Sequence, residues 1–172
     1  MMLVRLVVGA VAVALGVVLG SVLRRFGFTV FRPTPICEDG GAVGCGSNPR
    51  QCGTTRAIVF GPAGNLAEFP ECGPGPATVM VASEGGPIGL DASAHAELTF
   101  APASEVEVRV MHHGHPGRIE AFEMSGMVAA TVMMGAAANV EQRFTLRGAA
   151  IGRIVVTPGT PTDHTLVLGW CH

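Results

Sequence analysis

The sequence predicts an all-β fold, an antiparallel β-sandwich preceded by one N-terminal hydrophobic helix. Three observations predict it. From Arg56 to Trp170 the apolar residues recur in short runs with a period of two, the alternation of a half-buried strand. Gly, Pro, Asn and Ser break these runs at regular intervals. No stretch of that region repeats apolar residues at helical spacing, whereas residues 6–23 are apolar all round. About nine or ten short strands with turn signals between them suit a jelly roll.

Taken in order, residues 1–32 form a hydrophobic segment with a basic flank. Leu6 to Leu23 carries no charge over eighteen residues, bounded by Arg5 and by Arg24-Arg25. At about 1.5 Å per residue such a helix nearly crosses the roughly 30 Å hydrocarbon core. It reads as a membrane anchor, or as a signal peptide cleaved on secretion. Either reading places the body in the cell envelope, outside the cytoplasm. Residues 33–52 are rich in Pro, Gly and Cys and show no periodicity, which reads as a linker.

Residues 53–172 form the sandwich domain. Arg56-Ala-Ile-Val-Phe60 opens it and Gly61-Pro62 closes that run. Pro70 to Pro76 is a breaker, Ala77-Thr-Val-Met-Val-Ala82 a strand, and a strand from Ala94 to Phe100 ends at Pro102. Val106, Val108 and Val110 share one face of the next strand, and Glu105, Glu107 and Arg109 share the other. Arg118 to Met124 and Met127 to Met134 flank a Ser125-Gly126 corner. Phe144 and Leu146, then Ile154 and Val156, then Leu166, Leu168 and Trp170 repeat the inward alternation.

Five cysteines, Cys37, Cys45, Cys52, Cys72 and Cys171, match neither zinc-knuckle nor redox CxxC spacing. In an exported body they read as disulfide candidates. Cys171, on the last strand, is expected to pair with a cysteine of the entering segment, Cys37 or Cys52. The formal net charge is −2, but from residue 33 onward seven arginines face thirteen acids, and lysine is absent. An acidic body without a basic stripe excludes a nucleic-acid partner.

His112, His113 and His115 crowd one turn with Gly114, Pro116 and Gly117. His113 and His115, two apart, are the candidate metal ligands, for adventitious Zn or Cu, with His95 or Glu120 as a third ligand or base if the fold brings them near. The bland alternative is a solvated hairpin turn, and no resident cofactor is expected. Glu105, Glu107, Glu120 and Glu123 suggest the paired acids of a glycosidase, or a solvated face neutralised by Arg109 and Arg118. No serine elbow, phosphate loop or dinucleotide fingerprint is present.

Six stretches carry a resemblance. They are Leu98-Thr-Phe-Ala-Pro102, Val106-Glu-Val-Arg-Val110, Ile119-Glu-Ala-Phe-Glu-Met-Ser-Gly126, Phe144-Thr-Leu-Arg-Gly148, Ile151-Gly-Arg-Ile-Val-Val156 and Leu166-Val-Leu-Gly-Trp-Cys171. In this order they resemble the galactose-binding-like and carbohydrate-binding-module-like jelly rolls of secreted bacterial proteins. The resemblance implies a domain that binds glycans or cell surfaces. Glycan platforms usually stack sugars on Trp and Tyr. Here Tyr is absent, and the single Trp170 falls on the apolar side of its strand.

These readings converge on a non-enzymatic binding or surface module, exported or membrane-tethered through residues 6–23, with a glycan or protein ligand. Two other classes stand beside it: a metal-assisted hydrolase using the His112–His115 turn, and a structural envelope protein.

Overall fold

The computed structural model describes residues 43–83, 86–160 and 162–172, and residues 37–39 by their backbone. The hydrophobic segment 6–23, expected to be an anchor or signal, lies outside the described residues. Among the described residues no helix is long and apolar enough to cross a membrane.

The fold is all-β. Its strands are β1 (Cys37–Asp39), β2 (Gly44–Ser47), β3 (Arg50–Cys52), β4 (Thr55–Phe60), β5 (Ala77–Ala82), β6 (Ile88–Asp91), β7 (His95–His112), β8 (Arg118–Glu123), β9 (Val128–Met133), β10 (Gln142–Thr157) and β11 (Thr165–Cys171). A single 3-10 turn, Pro70–Cys72, interrupts them among the described residues. All ladders between these strands are antiparallel.

Two long strands organise the sheet. The first half of β7 lies between β4 and the second half of β10, with Leu98 opposite both Ala57 and Ile154. Its second half lies between β11 and the first half of β10, with Val108 opposite Trp170 and Phe144. One group of strands therefore runs β3-β4-β7-β10-β8-β9, and the other runs β10-β7-β11-β6-β5-β2, with β1 along β11. Side chains of both groups meet in one core, Ala57, Leu98, Ile119 and Ile154 from the first with Met80, Leu90, Val108 and Val167 from the second. Two layers around one apolar interior make a sandwich. Burying each Val, Leu or Ile there contributes about 1.5–3 kcal/mol.

Three expectations need correcting. The strand expected to end at Pro102 continues to His112 as β7. Pro102 is tolerated because the β7–β10 ladder is irregular around it, with register shifts between Arg147 and Arg153, so its missing N–H breaks no regular ladder bond. By the same token Arg143–Arg147 and Arg153–Thr157 are two ends of the single strand β10. The third concerns the linker 33–52, which supplies three short strands to the sheet. β1 pairs with β11, β2 with β5 and β3 with β4.

That segment is pinned as well as paired. Cys45 of β2 is disulfide-bonded to Cys72, closing a separation of 27 residues. In the chain-entropy account such a link is worth about 3–4 kcal/mol. Cys171 is also disulfide-bonded, and Cys37 stands directly opposite it in the β1–β11 register. Cys52 is a half-buried thiol packed against the core. Disulfides of this kind persist in oxidising compartments.

Trp170 is 2% exposed, and its indole N–H donates to Thr55 Oγ1 at 2.7 Å, joining β11 to β4 across the layers. Thr55→Val keeps the shape and leaves that buried N–H without its acceptor. The expected loss is about 1–3 kcal/mol in urea unfolding. An unchanged midpoint would show that the bond contributes nothing.

Candidate functional site

The second layer presents an outward face at the end where β7, β10, β11 and β6 terminate. Val110 and Val167 point into the core, so their chain neighbours Met111 and Leu166 point outward. Leu166 stands opposite Met111 on one side and Asp91 on the other. Gln142 stands opposite Val110, which brings the preceding residue, Glu141, beside Met111. A row Asp91, Leu166, Met111, Glu141 thus crosses the sheet.

A second row lies beyond it. Thr165 pairs with His112, and the His113 N–H donates to the His164 carbonyl at 3.0 Å, so His113 and His164 oppose each other. Asn139 closes the row, its N–H donating to the His112 carbonyl at 2.8 Å. Asn139 takes a left-handed φ of 60°, which an asparagine tolerates better than most residues. The β5–β6 hairpin rises along one side. Between that hairpin and the 139–141 segment lies a cleft of about 600 Å³, lined by Ser83, Gly86, Pro87, Met111, His113, Asn139 and Glu141.

Glu141 is held by two arginines, Arg143 at 2.9 Å and Arg109 at 3.9 Å. His113 Nδ1 lies 2.5 Å from Asn139 Oδ1. His164 Nδ1 donates to Asp91 Oδ2 at 2.8 Å, while Asp91 Oδ1 accepts the Ser93 N–H at 2.9 Å. Asp91 is 4% exposed, and both of its oxygens are satisfied.

The histidine turn separates into distinct roles. His112 is fully buried, with Nδ1 3.0 Å from the Gly114 carbonyl and Nε2 2.8 Å from the Gly135 carbonyl. Each ring nitrogen lies within hydrogen-bonding distance of a backbone carbonyl, and whichever carries the N–H donates to its own, so the ring packs between the turn and the β9–β10 connection. His115 points elsewhere, with its backbone N–H and Nδ1 both directed at Asp163 Oδ2. A Cβ on Gly114 would fall 2.2 Å from Asp163 Oδ1, so only glycine lets the turn close on that carboxylate.

Of the metal candidates, His113 lines the cleft and His115 does not. Among the described residues no three His, Cys, Asp or Glu side chains are placed to hold a metal together. His95 stacks on Phe60 near the start of β7, and Glu120 pairs with Arg118 at 3.0 Å, so neither joins the turn. The acids on β7 are taken up by arginines of β10: Glu105 by Arg147 at 2.7 Å and Glu107 by Arg143 at 4.0 Å. Arg109, expected to help neutralise these acids, pairs with Glu141 at 3.9 Å.

Sequence reasoning missed Asn139, Glu141, Asp91 and His164. Asp91 and His164 had one local signal, a polar residue at the edge of an apolar run, Asp91 closing one and His164 preceding another. Asn139 and Glu141 sit in a turn whose text shows nothing of what register brings beside it.

No protein family matches this chain, and no curated protein does. Several solved structures show similarity, two of them as follows. One is a glycoside hydrolase family 43 arabinoxylan arabinofuranohydrolase from Bacillus subtilis in complex with cellotetraose, at 10% identity and a TM-score of 0.37, covering 65% of this chain and 32% of that one. This chain spans about a third of its length. The other is a family 6 carbohydrate-binding module, at 11% identity and a TM-score of 0.36, covering 80% of this chain and 90% of that one.

The Asp163 carboxyl is held below the usual 3.8, chiefly by the His115 backbone N–H. Burial opposes this, and the Thr160 hydroxyl and His115 ring reinforce it. A lowered folded-state value means stability that is present above 3.8 and lost as pH falls through the folded value. Asp163→Asn should therefore flatten the acid limb of the stability profile below about pH 4. A wild-type limb retained in the variant, in urea midpoints taken stepwise from neutral to acid pH, would contradict this.

Proposed function

We propose that this chain is a non-catalytic binding module, a jelly-roll-like sandwich exported from the cytoplasm and either tethered by residues 6–23 or released from them. Its recognition face is the cleft over Met111, and its ligand class is hydroxyl-rich, a glycan. The observation that carries this is the lining itself. Ser83, His113, Asn139 and Glu141 bring a hydroxyl, an imidazole, an amide and a carboxylate around one cleft. Those groups exchange hydrogen bonds with hydroxyls in both directions. Pro87 offers exposed apolar surface for the C–H side of a sugar ring, beside a floor closed by Met111, which is 3% exposed.

Among the described residues Glu141 is the acid that lines the cleft, and it is ion-paired with Arg143 at 2.9 Å and Arg109 at 3.9 Å. The Cys45–Cys72 disulfide supports export.

With no Trp, Tyr or Phe among the described residues that line the cleft, affinity should be modest, on the order of 0.1–1 mM for an oligosaccharide, about −4 to −5.5 kcal/mol. The full chain in detergent micelles is to be titrated with a panel of neutral and uronic-acid oligosaccharides. Glu141→Gln keeps the shape, and Asn139→Gly keeps the left-handed backbone. Each should weaken the binding sugar about tenfold, a loss of about 1.4 kcal/mol. Sugar binding unchanged in both variants, or no binding by any member of the panel, would overturn the proposal.

A further inference from the structure

We propose that His113 and His164 form a two-imidazole site for a borderline-soft divalent ion, Zn²⁺, Cu²⁺ or Ni²⁺, on the outer face beside the cleft. The two residues stand one position beyond the paired ends of β7 and β11, joined by the His113 N–H on the His164 carbonyl, and continuing the Thr165–His112 register puts their side chains on the same side. Their Cβ atoms then stand about 4.5–5.5 Å apart. Both rings are exposed.

What distinguishes the pair is how each ring is held. His164 Nδ1 donates to Asp91, a buried carboxylate on the β6 side. His113 Nδ1 is engaged by Asn139 on the opposite, β10 side. Across the sheet the order is Asn139, His113, His164, Asp91. With each Nδ1 engaged on its own flank, the opposite Cδ2–Nε2 edge of each ring is the one left for a shared ion. Engaging Nδ1–H on an oxygen also leaves Nε2 as the lone-pair nitrogen, the form that ligates metal.

An oxygen partner on the far nitrogen is the usual support of a metal-binding histidine, and losing it typically costs 10–100-fold in affinity. Ligating nitrogens sit about 2.0–2.1 Å from zinc, so two on one ion lie roughly 3–3.5 Å apart. That separation is within reach of opposed imidazoles. The ion's other positions would be filled by water or by an oxygen of a bound molecule. Imidazole pairs select zinc, copper and nickel over magnesium and calcium.

This site differs from the His113 and His115 pair that the sequence suggests. Gly114 intervenes there, and the Asp163 carboxylate draws His115 away. It also stands independently of any glycan, because the probe is the metal alone.

The test uses the full chain in detergent micelles, titrated with Zn²⁺ and followed by electron paramagnetic resonance with Cu²⁺. Wild type should take one ion whose copper spectrum shows two imidazole nitrogens. His113→Ala and His164→Ala should each lose at least tenfold in affinity and one nitrogen from the spectrum. His115→Ala should bind as wild type. His164→Gln serves if the alanine variant fails to fold, and near-ultraviolet circular dichroism reports that. Equal losses in His115→Ala and His164→Ala, a one-nitrogen wild-type spectrum, or wild-type affinity in the His113 and His164 variants would overturn the proposal.

Discussion

The ladder between β7 and β10 is the constraint on which the rest of the structure depends. Each strand is long enough to serve both layers, so their mutual register fixes where every other strand docks. Val106, Val108 and Val110 meet Leu146, Phe144 and Gln142 along one half, and Ala96 and Leu98 meet Val156 and Ile154 along the other. A slip of one residue would turn each of these apolar side chains to water and bring the arginine-paired acids into the core. Sequence alternation and the Glu105–Arg147 and Glu107–Arg143 pairs on the outer side therefore specify the same register.

The candidate site inherits its geometry from that register. Where β7 leaves the core it carries Met111 and His113 outward in alternation, and β11 brings Leu166 and His164 to meet them. β10 begins at Gln142, which sets Glu141 beside Met111, and β6 ends at Asp91 beside Leu166. None of these side chains needs a specialised loop to place it. The turn is nevertheless fastened from below by His112, whose ring nitrogens lie within hydrogen-bonding distance of the backbone carbonyls of Gly114 and Gly135. It is fastened from the side by Asp163, which accepts from both the backbone and the ring of His115.

The period-two runs made the all-β class and most core positions legible, because a half-buried strand advertises its face in every second residue. Val106 to Val110 and the burial of Trp170 are examples. The short entering strands were illegible for a physical reason. β2 and β3 are edge strands of three or four residues, rich in Gly and Cys, held by pairing and a disulfide rather than by an apolar face. Pro102 read as a terminator because a proline usually is one, and only the irregular ladder beside it makes it tolerable. The site was half legible. Three histidines in one turn drew attention to the end of the molecule where the cleft lies. Which of them work together is decided by Asn139, Asp163 and His164, distant in the chain and brought in by strand register, and the local text could not assign them.

The most direct test of this account is amide chemical-shift mapping on the isotopically labelled full chain, titrated with whichever oligosaccharide of the panel binds. The account predicts that the shifts concentrate at Ser83, Gly86, residues 111–113 and 139–141, with His164 at the margin. The solvent-facing arginine-acid pairs of β7 and β10 and the exposed Met124 and Met127 of the β8–β9 hairpin should remain unmoved. Shifts centred on either of those surfaces, with the cleft over Met111 silent, would contradict it.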